Sequence, residues 1–104
     1  MKIVWSAASV RHLHQAVDYS QGESSSAAVP IRRRILETVK RVGQMPNSGR
    51  IGRIEGTREA VVLRSPYIVL YRISEQTVEI LGIWHGAQLW PQPFDSGTSL
   101  PRQA

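Results

Sequence analysis

Residues 49–91 constrain this chain more than any other part of it: GRIGRIEGTREAVVLRSPYIVLYRISEQTVEILGIWHGAQLWP. The run opens as a loop rich in glycine and arginine. It then changes to the two-residue periodicity of strands, with candidates at 57–64, 67–73 and 78–85. Ser65-Pro66 separates the first pair and Ser74 to Thr77 the second, so three strands follow one another through tight turns into a small antiparallel sheet. Tyr67 to Leu70 is apolar at every position, the pattern of a central strand buried on both faces. Arginine recurs at positions 50, 53, 58, 64 and 72, and a sheet that gathers cationic groups suits an anionic partner.

The first half of the chain reads differently. Lys2 to Trp5 is a short strand candidate, and Ser6 is placed to accept an orphan amide proton as the N-cap of a helix over 7–19. Trp5 and Val10 have the spacing of a hydrophobic staple, and Val10, Leu13 and Val17 continue an apolar stripe. The serine run at 20–26 predicts a break. Ile31, Ile35, Val39 and Val42 then step by four, four and three, one buried face of a second helix running from about Ser26 to a C-cap at Gly43. A short link between the two makes a helical hairpin. The expected architecture is therefore α+β, in the order β-α-α-β-β-β, with the hairpin packed on one face of the sheet.

Faces can be assigned by register. A two-residue loop at Ser65-Pro66 pairs Arg64 with Tyr67, Val62 with Val69, Ala60 with Tyr71 and Arg58 with Ile73. Arg58, Arg64, Tyr67 and Tyr71 then share one side, expected to be open and suited to phosphate contact and base stacking. Val61, Leu63, Ile68 and Leu70 share the other, expected to lie on the helices. The facing of His85 stays open, because one residue of difference in the second turn reverses every side chain of the last strand.

The 104 residues fit one domain, expected over 1–91 with a mobile extension at 92–104, and 41% hydrophobic residues suit a globular chain. No apolar run approaches the roughly 20 residues that span a bilayer, and the N-terminus lacks a secretory core. Without cysteine there are no thiolate metal clusters, disulfides or thiol catalysis, which fits the cytoplasm. His12, His14 and His85 are too few and too scattered for a metal site, so neither metal nor cofactor is expected. The net charge of +5 and a pI near 10.5 point to nucleic acid or another acidic partner.

The order of elements, the loop MPNSGRIGRIEGTRE, the hairpin SPYIVLYRI and the ending VEILGIWHGAQLWP resemble the RelE/ParE superfamily, the toxins of bacterial type II toxin–antitoxin modules, often called plasmid stabilisation proteins. The resemblance covers residues 2–91. It implies a cognate antitoxin as partner, a hetero-oligomer, and one of two activities. The ParE-like branch is nearer, through Pro46, Gly49-Arg50, Thr57-Arg58-Glu59 and Pro66-Tyr67, and implies inhibition of DNA gyrase without catalysis. The alternative is a RelE-like endonuclease cutting mRNA on the ribosome, in which Arg58 would stabilise phosphate and His85 would move a proton. A second alternative is a non-toxic basic module that binds nucleic acid. Arg50, Arg53, Arg58, Arg64, Tyr67 and Tyr71 are the expected target or nucleic-acid contacts. The loop holds arginines where RelE uses lysines, and no tyrosine follows His85, where Trp90 and Phe94 are the aromatics.

Overall fold

The computed structural model describes residues 1–86, apart from residue 24 and the side chains of 20–30. The extension expected at 92–104, Trp90, Phe94, and a serine cap or Pro30 at the start of the second helix as side chains lie outside the described residues. Strand β1 (Lys2–Trp5) leads into helices α1 (Ala7–Glu23) and α2 (Ser25–Gln44). A 3-10 turn (Pro46–Ser48) follows, then β2 (Arg50–Ile51), β3 (Arg58–Val61), β4 (Tyr67–Ser74) and β5 (Thr77–His85). The five strands form one sheet in the order β1-β5-β4-β3-β2.

Ser6 caps α1 as expected: its Oγ accepts the Ser9 amide at 3.0 Å. The same hydroxyl donates to Leu81 O, and the Ser6 amide donates to Ile80 O, so the cap also ties α1 to β5. Helix α1 runs to Glu23, four residues beyond the expected end, because the weak helix propensity of Ser and Gly amounts to less than about 1 kcal/mol per residue. Its buried stripe is Ser9, Leu13 and Ala16 with Val17 beside it, whereas Val10 is exposed. In α2 the four residues Ile31, Ile35, Val39 and Val42 are all buried, as their spacing predicts. Gly43 lies within the last turn and does not end the helix; a Cβ there would meet Ile3 of β1 at 2.6 Å.

The sheet is mixed. Strand β1 runs parallel to β5, pairing Lys2 with Thr77 through Trp5 with Ile80, while the other neighbours are antiparallel. One register differs from expectation, and the one left open is now fixed. Strand β3 pairs Arg58 with Tyr71 and Val61 with Ile68, because the connection is a four-residue loop at 63–66 rather than Ser65-Pro66 alone. The Val62 amide donates to Tyr67 O at 3.0 Å, and Ser65 Oγ spans the loop from Val62 O to the Tyr67 amide. Between β4 and β5 the register shifts at Leu70/Tyr71, where Leu70 faces Gly82 and Tyr71 faces Ile80. Leu81 is the extra residue of this bulge.

The assignment of faces is reversed. Tyr67, Val69 and Tyr71 belong to the core beneath the helices, together with Ala60, Val62, Val78, Ile80 and Ile83. Val61 and Leu63, expected on the helices, are 45% and 64% exposed. Ile68, Leu70 and Trp84 are buried on the opposite side, outside the helix-facing cluster. The tyrosine face wins the helices because it also carries Val62, Val69, Ile80 and Ile83, and the Tyr71 hydroxyl finds partners at the rim.

Candidate functional site

The loop between α2 and β3 holds the cationic cluster. Tyr71 reaches through the core to its base: its hydroxyl donates to Pro46 O at 2.6 Å and accepts the Gly49 amide at 3.0 Å. Gly49 must be glycine at this approach, since a Cβ would lie 2.5 Å from that hydroxyl and 2.8 Å from Glu59 O. Arg58 donates from Nη1 to Gly49 O at 2.7 Å and Asn47 O at 3.3 Å, so its guanidinium clasps the turn. Thr57 closes the other end, its Oγ1 donating to Ile54 O and its carbonyl accepting the Gly52 amide.

Glu59 organises the arginines. Its side chain is 1% exposed; Oε1 accepts Arg50 Nε and Nη2 at 3.1 and 2.9 Å, and Oε2 accepts the Arg53 amide at 3.0 Å with Arg53 Nε 3.8 Å away. Arg50 and Arg53 keep about half of their side-chain surface in solvent (54% and 51%). They are thus aimed outward from a fixed base, at a cost in net charge from the carboxylate beneath. Arg64 lies elsewhere, exposed in the 63–66 loop, with its backbone at φ 60 and its carbonyl held by Arg34 Nη1 at 2.9 Å. Arg72 pairs across strands with Glu79. Tyr67 and Tyr71 are buried, not presented on an open face.

His85 sits at the other end of the sheet, facing α1. The bulge at Leu81 sends both Ile80 and Ile83 toward the helices, and His85 follows Ile83 by two. Its ring stands edge-on to Tyr67 (centroids 5.3 Å apart, 80° between planes) and to Tyr19 (6.1 Å, 83°). These residues, with His12, Gln15, Ala16 and Ile83, line an open cavity of about 470 Å³. Arg58 pairs with Tyr71 and His85 with Tyr67, four residues apart on β4, roughly 13 Å along the strands. The arginine cluster and the histidine are not brought together.

Sequence periodicity passes over His12. It lies beyond the end of β1, where its Nδ1 accepts the Ile83 amide at 3.1 Å and so replaces the missing strand partner. An accepting Nδ1 carries no proton, which leaves the proton of the neutral ring on Nε2. Burial, and then Arg11, holds the His12 pKa below its ordinary 6.5. The usable signal was the spacing 12, 15, 19, which puts His12, Gln15 and Tyr19 on one side of α1. Because the unfolded chain binds a proton that folded His12 resists, stability is full above pH 6.5 and falls as pH drops below it toward the lowered folded value. Urea midpoints measured between about pH 5 and pH 8 should show this decline, and His12→Ala should flatten it while lowering stability at neutral pH.

The family model described as "ParE toxin of type II toxin-antitoxin system, parDE" matches residues 3–90. The chain belongs to the ParE toxin family. This ParE-family toxin is 41% identical over 91 residues to the Sinorhizobium fredii protein named "Putative toxin Y4kP", covering 88% of the chain and 94% of that protein. Its fold matches a chain of the chromosomal ParDE TA system from P. aeruginosa with a TM-score of 0.77 at 24% identity, covering 82% of this chain and 95% of that one. It also matches the RelBE2 toxin–antitoxin complex of Mycobacterium tuberculosis with a TM-score of 0.60 at 25% identity, covering 84% and 92%. Type II toxin of the ParE family is thus the coarse function. Among the described residues no helix is long and apolar enough to cross a membrane.

Proposed function

We propose that this ParE-family toxin inhibits DNA gyrase in the bacterial cytoplasm, without catalysis, and is neutralised by a cognate antitoxin bound as a hetero-oligomer. The observation that carries this reading is the ParE family match over residues 3–90. Two features of the structure support it. Arg50 and Arg53 project from a loop pinned to the sheet, a preorganised cationic contact for an acidic target. The set a nuclease would need, Arg58 beside His85, is separated by four residues of β4, roughly 13 Å along the strands. The exposed Val61 and Leu63, at the end of β3 and in the loop that follows, offer apolar surface that an amphipathic acidic segment could bury.

The test is a supercoiling assay with the purified chain. Inhibition is expected and should be reversed by the product of a neighbouring small reading frame. The double substitution Arg50→Ala with Arg53→Ala should weaken inhibition by roughly 10-fold or more, in line with one or two charge-assisted contacts. Arg58→Ala should weaken it through loss of the clasp, whereas His85→Ala should leave it largely intact. Unimpaired supercoiling together with prompt mRNA cleavage on ribosomes, abolished by His85→Ala, would instead establish the nuclease.

A further inference from the structure

The cavity between α1 and the end of β5 plays no part in the gyrase reading. We propose that it binds the base of a nucleotide, a planar heteroaromatic ring stacked beside Tyr19 and His85 and read at its edge by Gln15 and His12.

Size and lining both point to such a ligand. A cavity of about 470 Å³ lies within the range of small-molecule sites, roughly 300–1,000 Å³. Its floor is apolar, at Ala16 and Ile83, while its walls are imidazole, phenol and amide groups. A purely apolar occupant would remove water from the Gln15 amide and the His12 Nε2 and return nothing. A base offers ring faces to the aromatics and donors and acceptors to the heads. His12 is fixed as a donor: Nδ1 is committed to the Ile83 amide, so Nε2 bears the proton. Gln15 offers one donor and one acceptor in a plane, the pair that matches the N6/N7 edge of adenine.

The rings are also held ready. Tyr67 is buried and sets the plane of His85 by an edge contact, and Tyr19 meets the same imidazole from α1. Tyr19 is 57% exposed, so a stacked base would cover apolar surface that now meets water. A phosphate on the ligand has Arg11 nearby, close enough to His12 to oppose its protonation. The site lies roughly 13 Å along the strands from the Arg58 clasp, so binding and target inhibition are separable.

The experiment titrates the purified full chain with adenosine, guanosine, cytidine and uridine 5′-monophosphates, reading the imidazole resonances of His12 and His85 by NMR. A saturable shift of both is expected, strongest with the adenine nucleotide. Tyr19→Ala should weaken binding on the order of 10-fold, the worth of one stacked base, and Tyr19→Phe should restore it. Gln15→Leu, at an exposed position, should flatten the preference among bases while leaving the fold intact. Supercoiling inhibition should be unchanged by Tyr19→Ala, so this result and the gyrase result can fail independently. Absence of a saturable shift with all four nucleotides, or saturation of Tyr19→Ala at the parental nucleotide concentration, would overturn the proposal. So would an antitoxin complex in which an aromatic side chain fills the cavity and nucleotide does not compete.

Discussion

Replacing Tyr71 by alanine should leave this toxin largely unfolded at growth temperature. Tyr71 is fully buried in the centre of β4, among Val69, Ile80 and the helix residues of the core. Truncating a buried aromatic costs about 3–5 kcal/mol. Its hydroxyl also serves Pro46 O and the Gly49 amide, and stranding such groups adds about 1–3 kcal/mol. A domain of this size has only about 5–15 kcal/mol in total. Tyr71→Phe divides the effect: it keeps the ring and loses the two hydrogen bonds. It should fold, with a stability lower by about 1–3 kcal/mol in urea titration followed by tryptophan fluorescence. A phenylalanine variant as stable as the parent would mean that the hydroxyl does not anchor the loop.

Glu59→Ala should be nearly as damaging to activity and less damaging to the fold. The carboxylate is almost fully buried and gathers Arg50, the Arg53 amide and the Arg53 guanidinium. Removing one member of a fully buried ion pair costs about 3–5 kcal/mol, but here both arginines are half exposed and return to water. A loss of about 2 kcal/mol is therefore expected. The larger consequence is conformational, because residues 50–53 lose the group that aims them. Amide exchange at Arg53 should accelerate, and under the proposed gyrase function supercoiling inhibition should fall by roughly 10-fold or more. Glu59→Gln keeps an acceptor for the Arg53 amide and should be intermediate. If Arg53 exchanges at the parental rate in the alanine variant, the carboxylate is not what holds this loop.

The helical half was readable because one physical constraint governs it. Ile31, Ile35, Val39 and Val42 can share a face in only one regular structure, and the Ser6 cap is a local event within three residues. The sheet was readable in existence but not in orientation. Strand β4 is buried at five successive residues, so alternation says nothing about which side meets the helices. Tyr67 and Tyr71 were assigned to an open face because the expected register grouped them with Arg58 and Arg64, opposite a wholly apolar side. Yet the partners of Tyr71 lie 22 and 25 residues away, beyond any local pattern. The last strand defeats period-two reasoning altogether, since the bulge at Leu81 places Ile80 and Ile83 in the same layer. Of the site residues, the arginines were visible as a cluster, but the buried glutamate beneath them was not. His12 remained hidden because its role is to substitute for a strand.

Strand β1 occupies the first few residues and finds its partner only in β5, and α1 is tied to Ile80, Leu81 and Ile83 as well. Such pairings span more than seventy residues, so loop closure must wait until β5 has left the ribosome. A nascent chain halted before residue 77 lacks the strand that joins its two ends. Any activity that needs the folded sheet therefore becomes available only once β5 has been made, in one step rather than by degrees.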